Sequence, residues 1–150
     1  MIVHVSIAAA LFACFACVPG MARAKDTDGW TDVYACGAST GHSFMMNGDG
    51  WSSDGISKGV IVLRKRNADY DLLIGDATGA KFSALEDGAT IASREQEGVL
   101  QVLVVYPTLT IETFLFAAPE RGRTTVAWTS SKRAGVADRV SAFVSSCIVR

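Results

Sequence analysis

Histidine is scarce in this sequence, with only two among 150 residues, His4 and His42. The scarcity limits catalysis, because histidine is the side chain that titrates near neutral pH without help from its surroundings. The segment GASTG at residues 37–41 matches G-x-S-x-G, the motif that places a nucleophilic serine on a strand-to-helix turn. That fold needs a histidine after both the serine and the acid, yet no histidine follows His42. No catalytic residue is therefore assigned, and a small hydrolase using Ser39 and His42 is the last of three functional hypotheses.

The sequence also lacks an excess of charge of either sign. Its 14 lysines and arginines stand against 15 aspartates and glutamates, and the formal net charge is −1. A dedicated nucleic-acid binder needs a basic face to offset the phosphates. We therefore expect no nucleic acid among the partners, and the same balance gives no reason to expect attraction to a membrane surface.

Ligands for a metal ion are few. His42 stands alone, whereas zinc requires three or four ligands at suitable spacings. Residues 47–55 are dense in Asn, Asp and Gly, as calcium loops are, but Trp51 occupies a ligand position of the EF-hand pattern and Lys58 stands where that pattern has an acid. Ordinary turn chemistry explains the same composition. We expect neither a metal nor another cofactor.

One long apolar run is present, at the N-terminus. Residues 2–18 are almost entirely apolar, Pro19-Gly20 then interrupt any helix, and Ala-Arg-Ala follows at residues 22–24. This order is typical of a secretory signal peptide, although the positively charged start is missing. We predict a leader at residues 1–24 and one β-rich domain at residues 25–150, exported to the periplasm or beyond, with no stable membrane insertion after cleavage. An uncleaved anchor is the alternative, because the run reaches the length of about 17 residues that a spanning helix needs.

Cysteine is limited to four residues. Cys14 and Cys17 lie in the leader, where a lipoprotein modified at one of them is a further alternative. The exported chain keeps Cys36 and Cys147. In an oxidising compartment, two cysteines near the ends of a small domain are most simply joined to each other. We therefore predict a Cys36–Cys147 disulfide that ties the two ends of the domain together.

From residue 56 onward, short runs rich in β-branched and aromatic residues alternate with Gly, Asp, Asn and Pro. This rhythm predicts a mainly all-β fold, an antiparallel meander of about seven to eight strands that forms a small barrel, half-barrel or sandwich. The predicted strands cover residues 56–65, 70–74, 81–85, 89–94, 99–106, 109–117 and 124–130. The runs at 99–106 and 109–117 carry apolar side chains on both faces, so we expect them to be the central strands, paired through the turn at Pro107.

Two segments are ambiguous. Residues 136–147 place apolar side chains at both helical and strand spacing, and we favour a terminal strand over one short C-terminal helix. Residues 37–55 are rich in Gly, Ser, Asn and Asp and are predicted to form a long loop. The candidate binding residues of this loop are His42, Phe44, Met46, Asp49, Trp51 and Asp54. Trp51, Trp128 and Tyr70 are also candidates to line a ligand cavity, with an ordinary place in the core as the alternative.

Several short segments give the chain a family resemblance. They are GWSSDGISKG at residues 50–59, Tyr70-Asp71, DATG at residues 76–79, VAW at residues 126–128 and the closing Cys147. Together they resemble a set of small exported bacterial proteins of unknown function, which implies export but no activity. Through the Tyr-x-Cys segment at residues 34–36 and Cys147, the chain also resembles periplasmic lysozyme inhibitors, which are small β-barrels closed by a disulfide. Their Ser-Gly inhibitory loop has no match here.

Binding is the first functional hypothesis, because no catalytic machinery is visible. An exported, non-catalytic module would hold a small apolar ligand or an envelope partner. The second hypothesis is an interaction or inhibitor protein that acts on a secreted enzyme through residues 37–55. The small hydrolase comes third.

Overall fold

The structure, a computed structural model, describes residues 29–48, 50–56, 59–75, 78, 80–134 and 137–150. Within these ranges the protein is all-β, and none of the described residues forms a helix that could cross a membrane. The strands are β1 (Thr31–Met45), β2 (Gly50–Ile56), β3 (Val60–Arg66), β4 (Asp69–Gly75), β5 (Lys81–Ser83), β6 (Thr90–Gln96), β7 (Val99–Val105), β8 (Ile111–Phe116), β9 (Arg123–Ala134) and β10 (Ala137–Val149). The predicted leader at residues 1–24 lies outside the described residues.

All ten strands belong to one antiparallel sheet that curls into a half-barrel. The strand order is β5-β4-β3-β1-β10-β9-β8-β7-β6, and β2 pairs with β1 beside this path. The curl brings β4 into contact with β6, although six strands separate them in the sheet. The predicted antiparallel all-β fold is therefore confirmed; of the barrel, half-barrel and sandwich expected, the half-barrel is observed, and it has ten strands where seven to eight were expected.

A bulge in β1 divides one edge of that strand between two partners. Residues 31–36 pair with β3, residues 39–45 pair with β2, and the register of β1 against β10 shifts between Cys36 and Ser39. A bulge bends its strand and increases the local twist. One long strand therefore carries two neighbours on the same edge.

Alternation along the strands separates an inner face from an outer face. On β7, Leu100, Val102 and Val104 are buried, whereas the residues between them are exposed. We call the face that carries the buried side chains the inner face. The opposite, outer face carries exposed apolar residues as well, including Ile111 and Leu115 on β8. These outward side chains are not covered by another layer. A strand with apolar residues on both faces is therefore not necessarily central in this sheet.

The expected central position of the runs at residues 99–106 and 109–117 is accordingly wrong. They form β7 and β8 and do pair with each other, but they lie second and third from one edge of the sheet. The centre belongs to β1 and β10, which carry more small and polar residues.

The prediction of a long loop at residues 37–55 is also wrong. This segment forms the second part of β1 and all of β2, joined through a turn that includes Met46 and Gly48. The inward positions in this part of β1 hold Ser39, Gly41 and Ser43. Inward and outward side chains therefore alternate as in any strand, but the inward ones are not the large apolar residues by which a strand is usually predicted. The strand favoured for residues 136–147 is confirmed as β10, within which no helical turn occurs.

The core lies toward the end of the half-barrel that holds the disulfide. Cys36 and Cys147 face each other across β1 and β10 and are joined with an S–S distance of 2.01 Å, which confirms the predicted bridge. Tyr34 stacks on Phe116 nearby, with 4.9 Å between the ring centroids. Burial of such aromatic and aliphatic side chains is the main source of folding free energy.

Candidate functional site

A cavity of about 360 Å³ opens on the inner face of the sheet. Its lining combines aromatic rings with acidic and basic side chains, including Asp54, Tyr106, Glu112, Trp128, Lys132, Arg139 and Phe143. These residues come from β2, β8, β9 and β10, except Tyr106, which directly follows β7. We call this space the inner cavity.

An aromatic row forms one wall of the inner cavity. Phe114, Trp128 and Phe143 are in register on β8, β9 and β10. The indole of Trp128 lies between the two phenyl rings, with centroid distances of 5.5 Å to Phe114 and 4.5 Å to Phe143. On β1 the row continues at Gly41, where an added Cβ would collide with the Ala142 carbonyl oxygen and the Phe143 ring. Glycine at this position lets the phenyl ring lie directly on the backbone.

A row of hydroxyl groups runs beside the aromatic row and ends at a carboxyl group. Ser43, Ser141, Ser130 and Glu112 are in register across β1, β10, β9 and β8, and all four are buried. The hydroxyls of Ser43 and Ser141 are 2.6 Å apart, and Ser130 donates a hydrogen bond of 3.0 Å to Glu112 Oε1. Because serine side chains are short, this row leaves space above it, and the inner cavity adjoins it.

Glu112 is a buried acid with only 3% of its surface exposed. Its Oε1 accepts the hydrogen bond from Ser130 and lies 3.7 Å from Lys132 Nζ. Its Oε2 has no hydrogen-bond partner among the described residues. Burial raises the pKa of Glu112 above 4.5, and Lys132 and Ser130 only partly offset that effect. Burial, followed by the charge of Glu112, also raises the pKa of Tyr106.

Trp128 holds the second unpaired polar atom of the inner cavity. The side chain is 7% exposed, and its Nε1 donates to none of the residues that the structure describes. The hydroxyl of Ser39 is likewise buried and unpaired within the described part of the chain, but Ser39 does not line the cavity. Glu112 and Trp128 both line the cavity, but their unpaired atoms are themselves buried and are not open to it.

Two basic residues stand at the mouth of the inner cavity, each near an acid. Lys132 and Arg139 are opposite each other on β9 and β10. Arg139 Nη1 lies 3.8 Å from Asp54 Oδ2, while Lys132 is near Glu112. A hydrogen bond from Ser43 to Asp54, 2.5 Å long, is the main cause that lowers the pKa of this carboxyl below 3.8. Burial opposes that shift, and the Gly55 amide and Arg139 add to it.

Of the candidate binding residues, only Asp54 lines the inner cavity. Met46 and Trp51 are 62% and 61% exposed, and the Trp51 ring packs tilted against Phe44, with centroids 5.5 Å apart. His42 is exposed on the outer side of β1. Asp49 lies outside the described residues. The set therefore divides between the cavity and the β1–β2 hairpin, and it does not form a single binding loop.

Ser39 and His42 do not form a nucleophile–base pair. Ser39 is buried on the inner face, whereas His42 is exposed, because side chains three positions apart in a strand point to opposite faces. In the described residues, no group of three or more His, Cys, Asp or Glu side chains is placed to hold a metal ion.

Of the aromatic residues proposed from the sequence to line a cavity, Trp128 does so, whereas Trp51 and Tyr70 do not. No pattern in the sequence singles out Lys132 or Arg139, and Glu112 is not among the predicted site residues. One signal for Glu112 was present, since an acid stands in phase with Phe114 and Phe116 in an otherwise apolar strand. Comparison with known proteins adds no assignment, because no family model, curated protein or solved structure matches the chain.

Proposed function

We propose that the protein is an exported, non-catalytic binding module that holds a small organic ligand in the inner cavity. The observation that carries this proposal is the inner cavity itself, a space of about 360 Å³ lined by aromatic rings together with acidic and basic side chains.

The size and lining of the inner cavity support a small ligand. Its volume of about 360 Å³ falls near the lower end of the range of roughly 300–1,000 Å³ that is common for ligand sites. Such sites combine an apolar wall with a few polar groups that fix orientation. Trp128 and Phe143 supply the wall here, and Glu112 supplies a polar group. The ligand is therefore expected to carry polar atoms, rather than to be purely apolar as the sequence suggested.

Export is part of the same proposal. It is supported by the signal-peptide pattern at residues 1–24 and by the Cys36–Cys147 disulfide, which is compatible with an oxidising compartment. The ligand would then be met in the periplasm or outside the cell.

A cavity-blocking variant tests the proposal. Thr110 lines the inner cavity, so Thr110→Trp is expected to fill it; Thr125→Trp, at an exposed position of β9, is the matched control. A fragment library screened by ligand-observed NMR should give binders for the wild type and Thr125→Trp but not for Thr110→Trp. Absence of any binder, or binders that persist in Thr110→Trp, would contradict a ligand site in the inner cavity.

The β1–β2 hairpin supports a second candidate function, an interaction or inhibitor protein. Met46 and Trp51 are large apolar residues that stay mostly exposed near the turn of this hairpin, and such residues are enriched at protein interfaces. A pulldown from the envelope fraction should lose its partner with Trp51→Ser but keep it with Leu115→Ser, which removes an exposed apolar residue from the outer face. Identical partners for wild type and Trp51→Ser would remove this candidate.

A further inference from the structure

We propose that the outer face of the sheet is a dimer interface, on which a second copy of this chain packs face to face. This interface lies on the opposite side of the sheet from the inner cavity and is independent of the proposed ligand site. Three properties of the outer face support a second copy: it lacks charge, its area suits a stable dimer, and its large and small side chains lie on different strands.

Outward side chains of six strands form three rows across the sheet. Each row takes one residue from β7, β8, β9, β10, β1 and β2 in turn, and neighbours in a row are paired in register. The first row is Val105, Ile111, Ser131, Val140, Phe44 and Trp51, the second is Leu103, Thr113, Thr129, Ala142, His42 and Ser53, and the third is Gln101, Leu115, Ala127, Val144, Thr40 and Gly55. We call them the outer rows.

The outer rows contain no Lys, Arg, Asp or Glu, and His42 is their one ionisable side chain. Charged residues begin at the perimeter, where Arg133 and Asp138 pair beyond the first row and Arg94 pairs with Gln101 at the β6 side. The solvated face of an antiparallel sheet is normally polar, and a wide apolar patch indicates an interaction surface. An apolar centre within a charged rim is the usual composition of a protein interface.

The absence of charge favours a second copy over a different protein. A two-fold axis places a surface patch against the same patch of the other copy, so any net charge on the patch meets its own sign. The outer rows avoid that repulsion. An interface with a different protein is commonly selected by complementary charges, and the outer rows carry none that could select one.

The extent of the outer rows suits a stable dimer. Strands lie about 4.8 Å apart and rise about 3.4 Å per residue, so six strands and three rows cover roughly 29 Å by 20 Å, or about 600 Å², before side-chain relief is counted. Stable interfaces bury about 800 Å² on each partner. Leu115 and Val144 are 45% and 50% exposed, so apolar area remains to be buried. The outer rows and their rim together supply the required area.

Side-chain sizes differ between the two strands in the middle of this surface. β8 carries Ile111 and Leu115, and in the same rows β9 carries Ser131 and Ala127. A two-fold axis that runs along the strands between β8 and β9 lays β8 of each copy on β9 of the other. Leu115 then meets the partner's Ala127, so a large side chain lies over a small one. Two sheets stacked in this way form an aligned sandwich.

Sedimentation equilibrium of the mature, oxidised protein tests the dimer. We expect the mass to rise from one chain to two, and no further, between about 1 and 200 µM, within the usual range of affinities. Leu115→Lys and Thr129→Lys should each raise the dissociation constant about 100-fold or more, because the interface would bury an unpaired charge. Leu85→Lys adds the same charge at an exposed position in the turn after β5 and should leave the constant unchanged. Urea unfolding of each variant confirms that it is folded.

An exchange of side chains tests the packing of β8 on β9. Leu115→Ala leaves a gap against the partner, and Ala127→Leu overfills the same contact, so each should weaken the dimer about tenfold. The double variant Leu115→Ala/Ala127→Leu again sets a large side chain over a small one and should restore the dissociation constant to within about threefold. Losses that add in the double variant would contradict this packing.

Three other results would overturn the dimer. They are a monomer at every concentration, a dimer that Leu115→Lys and Thr129→Lys leave intact, and a mass that grows beyond two chains, which indicates open association. A monomer that instead co-sediments with phosphatidylcholine vesicles would assign the outer rows to a lipid surface. None of these results affects the ligand site, which the fragment screen with Thr110→Trp tests separately.

Discussion

Glu112 shows how one residue sets the character of the inner cavity. The strand β8 turns Glu112, Phe114 and Phe116 toward the same face, and two of these three are apolar. An acid in such a row is removed from water, so its charged form is disfavoured unless partners compensate. Ser130 and Lys132 compensate only in part, and the pKa of Glu112 is raised as a result.

The raised pKa predicts a dependence of stability on pH. An acid whose pKa is higher in the folded state binds more protons when folded, so the free energy of unfolding falls as pH rises from 4.5 to the folded-state pKa. The Glu112→Gln variant lacks the titrating group. The stability difference, wild type minus variant, should therefore decrease as pH increases, as measured by urea unfolding from about pH 4 to about pH 8.

The direction of the pKa shift separates this effect from that of Asp54, another acid of the cavity. Asp54 has a lowered pKa, so it stabilises the fold above pH 3.8, and this stabilisation is lost as pH falls below that value. Its effect on the free energy of unfolding therefore changes with pH in the direction opposite to that of Glu112. Asp54→Asn is therefore the control, and it should leave the trend above 4.5 intact. A wild-type minus Glu112→Gln difference that stays constant or grows with pH would contradict the burial of an ionisable Glu112.

Gly41 is the second residue on which the cavity wall depends. A Cβ at this position would meet backbone and ring atoms of β10 well inside contact distance, whereas a Cβ at Gly37 in the same strand would meet nothing within 4 Å. We expect Gly41→Ala to lower the free energy of unfolding by about 3 kcal/mol, at the upper end of overpacking effects, and Gly37→Ala to change it by less than about 0.5 kcal/mol. Urea unfolding of the two variants measures both, and equal effects would rule out the close approach of Phe143 to the β1 backbone.

At the scale of elements, the sequence predicts those strands whose inward positions are large and apolar. β4, β7 and β8 were expected close to their observed positions because residues such as Leu72, Val102 and Phe114 recur with a period of two. The second part of β1 is not predicted because Ser39 and Ser43 occupy its inward positions, and β2 is not predicted because its residues are mostly small or polar. Small polar residues on an inner face carry no signal of burial.

The candidate site was less accessible to prediction than the fold. Asp54 and Trp128 could be named from residue type alone, but the side chains of the cavity come from β2, β4, β5, β8, β9 and β10, so residues as distant in the chain as Asp54 and Phe143 meet there. Strand order and register decide which of these side chains lie side by side, and neither can be read from residue types alone. The register that sets Ser43 opposite Ser141 and Ser130 opposite Glu112 is a property of the whole sheet.

A buried ion pair joins three elements at the β5 edge of the sheet. Asp71 on β4 is fully buried, and its Oδ2 accepts hydrogen bonds from Arg64 Nε at 2.9 Å and from Ser83 Oγ at 2.8 Å. Its Oδ1 accepts from the amides of Leu72 and Leu85. One carboxylate thus connects β3, β4, β5 and the turn that follows.

Loss of the Asp71 charge should therefore loosen this edge. Asp71→Asn removes the fully buried carboxylate that accepts from Arg64 and Ser83, and we expect the free energy of unfolding to fall by about 3–5 kcal/mol. Asp69→Asn, at an exposed position of the same strand, should change it by less than about 0.5 kcal/mol. Hydrogen exchange should show faster exchange in β4 and β5 for Asp71→Asn, and a variant as stable as the wild type would contradict a structural role for the pair.

At the scale of the molecule, the two central strands come from opposite ends of the described chain. β1 and β10 pair along most of their length, and the disulfide joins them with a sequence separation of 111 residues. All the other strands lie between these two in the chain. The bridge therefore closes nearly the whole half-barrel, including every strand that lines the inner cavity, into one covalent loop.

Removal of the bridge should cost stability because the unfolded chain gains freedom. For a loop of this length the chain-entropy relation gives about 4–5 kcal/mol. Reductant and the Cys36→Ser/Cys147→Ser variant should lower the free energy of unfolding by similar amounts, since both open the same loop. Intact-mass measurement of the exported protein with alkylation, before and after reduction, reports the bridge directly and also locates the leader cleavage expected after residue 24. Two alkylated thiols in the unreduced protein would refute the disulfide. Equal free energies of unfolding for the oxidised and reduced protein would show that the bridge does not restrict the conformational freedom of the unfolded chain.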